Sequence, residues 1–369
     1  MKKTLFAIGA MVAMVACSND FVVKEAAQEA IGFDNAFVDN STRSVADPSF
    51  SSADGGNMFT TFHVYGYVEG APLFDANNDG VIVSGSGVGN NASWSYSSDK
   101  TQYWIAGADY NFNAVAPATG GNWTKKVATD TTNGTDATNA TQTTLSFTNN
   151  GTTDLLYATA TAEGQASGNA KVGFTFRHTL SKVKFSFENA YNASNSSIRV
   201  KDIKITDAYK TGDVVLKAAT ETTPTAWSNQ ATATGFVLEF GMATDNQETT
   251  DIKENVEVAF AYGKTYESYN ELFMIPGAGA TDFTVTNADG TQTKKGYTVE
   301  FTVELLVNGQ KISDYVHTIK TNFIPEPGKS YDLKAVINPT NIDPSKPQEA
   351  IQFTVTEIDG WDPQAEQNI

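Results

Sequence analysis

The chain has 369 residues, 25 Lys+Arg against 42 Asp+Glu for a net charge of -17, three histidines and a single cysteine. This acidity excludes recognition of nucleic acid or an anionic membrane through a basic face, because either needs cations to neutralise phosphates. The lone cysteine excludes an intrachain disulfide, a CxxC redox pair and a thiolate zinc cage, and the length suits two domains at roughly 100–200 residues each.

Lys2 and Lys3, the apolar run from Leu5 to Val15, and Ala16-Cys17 read as the n-region, h-region and cleavage point of an export signal over residues 1–16. The run is too short for a lasting membrane span, which takes about 20 apolar residues. Met14-Val15-Ala16-Cys17 resembles a bacterial lipobox, which makes Cys17 the expected lipidated first residue and sends the protein out of the cytoplasm. From Cys17 onward the chain holds 23 bases and 42 acids, a net -19.

Residues 17–43 read as a propeptide with a strand in it: Ile31, Phe33 and Phe37 stand at strand spacing before the polar loop Asn40-Ser41-Thr42-Arg43-Ser44. The three arginines are 43, 177 and 199, and the last two lie in strand-like runs. Arg43 is therefore the accessible one, where an extracellular trypsin-like protease could cut before Ser44, as exposed loops are nicked; the alternative is an ordinary loop residue. That cut removes two bases and five acids and leaves 21 against 37, a net -16.

Beyond residue 44 no amphipathic helical period appears, whereas alternating runs bounded by Gly, Asn, Asp and Pro recur. Phe59–Val68 sets Phe62, Val64 and Val68 against His63, Tyr65 and Tyr67. Val81–Val83, Trp94–Tyr96, Tyr110–Pro117, Thr144–Phe147 and Leu155–Thr161 follow. Val172, Phe174, Phe176, His178 and Leu180 alternate on even positions, and Val183, Phe185 and Phe187 on odd ones. The break at Ser181-Lys182 marks a bulge or a domain crossing. After it come runs at 198–206, 214–217, 235–240, 256–262, 271–276, 283–286, 297–307, 315–320, 331–337 and 351–358. The pattern predicts an all-β chain of two tandem β-sandwiches, at 44–181 and 182–369. The Thr- and Asn-rich segment 120–153 reads as a surface loop, and 338–350, with Pro339, Pro344 and Pro347, as an extended tether.

No catalytic constellation emerges. Asp75-Ala76-Asn77-Asn78-Asp79-Gly80 copies half a calcium loop, but its twelfth position is Ser86 and no helices flank it, which favours a hairpin turn. His63, His178 and His317 lie in separate strand runs without a metal or nucleophile motif, and the latter two read as hydrogen-bonded structural histidines. No metal or cofactor is expected. Tyr65, Tyr67, Trp94 and Trp104 offer an alternative, a surface glycan-binding face, against ordinary cross-strand packing. A β-sandwich glycoside hydrolase is the weakest alternative, since no carboxylate pair stands out.

The two ends nearly repeat one another: Gln28-Glu29-Ala30-Ile31-Gly32-Phe33 and Gln348-Glu349-Ala350-Ile351-Gln352-Phe353. Loss of residues up to 43 would leave a sheet short of one strand, and a neighbour's C-terminal strand presenting Ile351, Phe353 and Val355 would fill the groove by β-augmentation.

With these features the chain resembles the fimbrillin-like lipoproteins of Bacteroidales, subunits of type V pili. The lipobox at Cys17, Thr42-Arg43, Trp94-Ser95-Tyr96 with Tyr103-Trp104, Tyr110-Asn111-Phe112-Asn113-Ala114, Asp154-Leu155-Leu156-Tyr157, Phe176-Arg177-His178, Phe273-Met274-Ile275-Pro276, Pro327-Gly328-Lys329-Ser330-Tyr331 and Ile358 to Trp361 carry the resemblance. It implies two transthyretin-like β-sandwiches, a lipidated precursor taken to the outer membrane through Cys17, removal of the N-terminal strand by an arginine-specific protease at Arg43-Ser44, and strand exchange with other fimbrial subunits through Ile351–Ile358 and the tail to Ile369. Adhesion at the cell surface is the implied function, with no enzymatic activity and no cofactor.

Overall fold

The computed structural model describes residues 29–38, 60–74, 79–86, 93–126, 143–216, 227–242, 259–268, 270–287, 290–343 and 351–358. Among them the chain is nearly all strand. Before the break at Ser181 run β1 (Phe33–Val38), β2 (Thr61–Val68), β3 (Ala71–Pro72), β4 (Val81–Ser86), β5 (Ser93–Ser95), β6 (Asp109–Ala116), β7 (Trp123–Lys125), β8 (Thr143–Thr148), β9 (Leu156–Glu163) and β10 (Val172–His178). Eight of these form one sheet in the order β1-β10-β9-β6-β2-β4-β5, with β3 on β2. Alternation gives it one apolar face, where Phe62, Val64, Val83, Phe112, Phe174 and Phe176 are almost wholly buried. The sheet curls over this face until its ends meet: the ring of Phe33 on β1 lies 5.5 Å from Tyr96, just past β5.

The second half holds β11 (Ser181–Asn189), β12 (Ser196–Ile205), β13 (Thr211–Leu216), β14 (Trp227–Ala231), β15 (Leu238–Phe240), β16 (Ala259–Ala261), β17 (Thr265–Glu267), β18 (Leu272–Met274), β19 (Thr281–Asn287), β20 (Gly290–Val307), β21 (Gln310–Thr321), β22 (Ser330–Ile337), the short helix α1 (Pro339–Ile342) and β23 (Phe353–Ile358). One sheet runs β17-β11-β22-β23 with β18 on β11, and a second runs β15-β12-β20-β19 with β16 on β12 and β21 on β20. Val183, Phe185 and Phe187 from the first meet Ile198, Val200, Val299, Phe301 and Val303 from the second in a continuous core. This half is a two-sheet sandwich.

The parity break is where the chain leaves the first sheet for the second. The crossing is pinned from several sides. His178 Nδ1 bonds Asp154 at 2.5 Å, Thr179 Oγ1 donates to Leu155 O at 2.8 Å, and Ser181 Oγ donates to Glu326 O at 2.6 Å.

Three sequence expectations change. Segment 120–153 is not wholly loop: β8 matches the strand run expected at Thr144–Phe147, with Leu145 and Phe147 buried, and β7 is a further strand in it. These strands join a four-stranded sheet, β14-β13-β8-β7, which covers Tyr65, Tyr67 and Val115 on the outer face of the first sheet. A partition at 181/182 is not followed strictly either, because β13 and β14 return to pair with β8 before the chain resumes its own sandwich. The proposed tether at 338–350 begins with α1, where Asn338 caps the helix start and Ile342 is buried. Residues 344–350 lie outside the described set.

Candidate functional site

Residues 29–33 are the stave that closes the first sheet. On one side β1 runs parallel to β10, with Phe33 opposite Val172, and Gly32 O accepts from Val172 N at 2.8 Å. On the other, Ile31 N donates to Gln102 O at 2.8 Å, Trp104 N donates to Glu29 O at 3.0 Å, and Tyr96 Oη donates to Ile31 O at 2.8 Å. Bonding on both edges is the pattern of an inserted strand. Ile31 and Phe33 are each 1% exposed, and the Phe33 ring packs 5.8 Å from Phe174 and 5.9 Å from Phe112. Burying two such side chains stabilises the seat by roughly 1.5–3 kcal/mol each.

Glu29 anchors the start of this stave. Its carboxylate accepts from Gly168 N at 3.0 Å, Asn169 N at 2.7 Å and Asn169 Nδ2 at 2.7 Å. Gly168 has φ +73°, a left-handed conformation that glycine adopts without strain and that turns successive N–H groups toward one anion. The Asn169 backbone N–H, then its amide and the Gly168 N–H, hold the Glu29 carboxyl below the usual glutamate range. Nothing in the sequence points to this contact, because Glu29 and Gly168 are 139 residues apart.

Beyond Phe33 a bulge falls between Asp34 and Ala36. It shifts the alternation, so Val38, not Phe37, is the backbone partner of the buried Phe176, and Phe37 pairs with Thr175. The extra residue is why Ile31, Phe33 and Phe37 do not form a single register. Cys17, Arg43 and Ser44 lie outside the described residues, as do Asp75 and Asn77.

The C-terminal counterpart is held differently. Among the described residues strand β23 pairs with β22 alone, antiparallel, from Ala335 opposite Phe353 to Ser330 opposite Ile358. Ile351 is buried, Phe353 is half-buried and Val355 is 38% exposed. The Phe353 ring lies 5.5 Å from Phe185 and 6.3 Å from Phe187 on β11, one strand beyond its own partner β22, whereas Phe33 packs on Phe174 of β10, the strand it pairs with. Phe33 is fully enclosed, whereas Phe353 stands on the edge strand of its sheet.

The remaining expectations resolve readily. Tyr65, Tyr67, Trp94 and Trp104 are between 2% and 8% exposed and belong to the cores, so they form no glycan-binding face. His178 is buried on Asp154, and His63 Nε2 meets Asp79 O at 2.5 Å. His317 departs from the reading of a hydrogen-bonded histidine: it stacks on Phe301 at 5.3 Å, its Nε2 has no partner among the described residues, and burial lowers its pKa. No three His, Cys, Asp or Glu side chains among the described residues gather as a metal-holding group. Arg177 and Arg199 sit inside paired strands β10 and β12.

No protein of curated function matches the chain. Solved structures that are similar over most of its length include a candidate cell adhesion protein of Bacteroides uniformis, at 14% identity and TM-score 0.39, covering 90% of this chain and 98% of that one. Another is a candidate cell adhesion protein of Bacteroides eggerthii, at 14% identity and TM-score 0.42, covering 89% and 96%. The fimbrial anchor protein Mfa2 of Porphyromonas gingivalis is similar at 12% identity and TM-score 0.32, covering 88% and 96%. The fimbrillin-like family model matches residues 50–361, most of the sequence, and the chain belongs to the fimbrillin-like family.

Proposed function

We propose that this protein is a structural fimbrial subunit with no catalytic role, exported as a precursor lipidated at Cys17, matured by cleavage between Arg43 and Ser44, and joined to its neighbours by strand exchange at the cell surface. Its two halves are read as transthyretin-like domains, and its partners as other fimbrial subunits, the outer-membrane lipid in the precursor and an arginine-specific extracellular protease.

One observation carries this reading. The N-terminal stave is bonded on both edges and buries Ile31 and Phe33 completely, while the C-terminal strand with the matching Ile351 and Phe353 is bonded on one edge and leaves Val355 exposed. A strand leaving β22 for a vacated groove beside β10 therefore gains a second hydrogen-bonded edge and deeper burial, which favours exchange once residues 17–43 have gone.

Treating the full precursor with an arginine-specific protease and following it by native gel and electron microscopy tests the proposal. Cleavage after Arg43 should yield ladders and fibres. Stable monomers as the only product would refute assembly by this route.

A further inference from the structure

Resting on the strand-exchange reading above, we infer that the Gly168-Asn169 turn sets the register of the incoming strand by receiving Glu349 of the next subunit in place of Glu29, with the donor running parallel to β10.

Apolar contact alone leaves the register of the incoming strand open. The donor presents Ile351, Phe353 and Val355 at alternate positions, and the groove has two deep hollows, those of Ile31 and Phe33. Apolar contact is satisfied by Ile351 and Phe353, by Phe353 and Val355 one step along, or by the reversed strand. Alternation alone does not choose, since a slip of two residues keeps every side chain on its face.

The Glu29 seat narrows the choice. It offers three donors to one carboxylate, two backbone N–H groups and the Asn169 amide. Glu349 stands two residues before Ile351, as Glu29 stands two before Ile31. Only the unslipped parallel register brings it there. The slipped register places Ile351 against the three donors, and reversal with Phe353 and Ile351 in the two hollows places Val355 there, stripping the donors of their acceptor. Reversal with Val355 and Phe353 in the hollows of Ile31 and Phe33 brings Glu357 to the donors instead, and the parallel run of β1 on β10 together with the matching order Glu-Ala-Ile-x-Phe favours Glu349 over it. Hydrogen bonds to an ionised acceptor are among the stronger ones, so discrimination is substantial.

The one larger residue in the repeat also fits. Gln352 replaces Gly32, and a Cβ at Gly32 would meet the Lys171 Cγ at 3.2 Å, part of a long exposed side chain that can swing aside.

The test uses the full precursor, cleaved by an arginine-specific protease. Cys17 is the sole cysteine and leaves with the cut, so introduced pairs report without background. Asp34 is the backbone partner of Gly173, which is exposed. Gly173→Cys combined with Thr354→Cys should give an intermolecular disulfide in fibres, and Gly173→Cys with Thr356→Cys or with Gln352→Cys should not. Separately, Glu349→Ala and Asn169→Ala should each slow polymerisation about tenfold, with the melting of uncleaved Glu349→Ala unchanged. Cross-linking through Thr356→Cys or Gln352→Cys, or wild-type polymerisation rates in both Ala variants, would overturn the register while leaving exchange intact. Monomers alone from the unmodified chain would overturn exchange and the register together.

Discussion

Glu29 and Asn169 are joined by two hydrogen bonds of 2.7 Å, one from the backbone N–H and one from the side-chain amide, and this contact ties the N-terminal stave to the turn before β10. Bonds to the ionised form lower the Glu29 pKa from its ordinary 4.5. Their stabilisation is complete above that value and is lost as pH falls through the lowered one. Amide hydrogen exchange at Ile31 and Trp104, corrected for the intrinsic rate, should accelerate below about pH 4.5 relative to Ile198 in the second core. Glu29→Gln should weaken protection at neutral pH and flatten the dependence. Equal corrected protection of Ile31 at pH 7 and pH 3 would contradict this role.

The Phe33 ring meets Phe74, Tyr96, Phe112 and Phe174. Phe33→Ala should destabilise the precursor by about 3–5 kcal/mol in urea unfolding, the usual range for emptying an aromatic site in a core. Under the proposed cleavage after Arg43 the matured chain would no longer carry residue 33, and fibre stability should then match the unmodified protein. A loss below about 1 kcal/mol in the precursor would mean that Phe33 is not seated as described.

Arg43→Ala should leave unfolding unchanged and abolish maturation, because Arg177 and Arg199 are held in paired strands, where a protease cannot draw the backbone into an extended conformation. Incubation with an arginine-specific protease followed by intact-mass measurement checks it. Assembly of the variant at normal efficiency would exclude Arg43-Ser44 as the processing site.

In the second half, Glu304 is buried between Arg199 at 2.9 Å and Lys201 at 3.0 Å, linking β12 to β20. Burial raises its pKa, and the two cations outweigh that and lower it overall. Glu304→Gln should cost about 1–3 kcal/mol in denaturant unfolding, since the desolvated partners lose their countercharge. The difference from the unmodified chain should shrink as pH falls through the lowered Glu304 pKa. A neutral effect at pH 7 would show that the pair contributes nothing net.

Much of the architecture was legible in order along the chain. Phe62 and Val64 against Tyr65 and Tyr67, and the change from even to odd parity between β10 and β11, follow from a period of two that every strand imposes on its own residues. Strand β8 was half-visible, because Leu145 and Phe147 are its only apolar residues in a Thr- and Asn-rich stretch. The covering of Tyr65 and Tyr67 was not visible, since the strands that bury them, β13 and β8, are paired across more than sixty residues.

The sequence by itself determined the strand faces, the near-repeat at the two ends and the position of the single cysteine. Tertiary structure alone decided that residues 29–33 are an enclosed stave while 351–358 form an edge, that a bulge removes Phe37 from the Phe33 register, and that Gly168 and Asn169 receive Glu29. Alternation is a local property of the backbone. Which edges meet depends on closing loops between distant segments, and that is settled only when the whole apolar surface is buried at once.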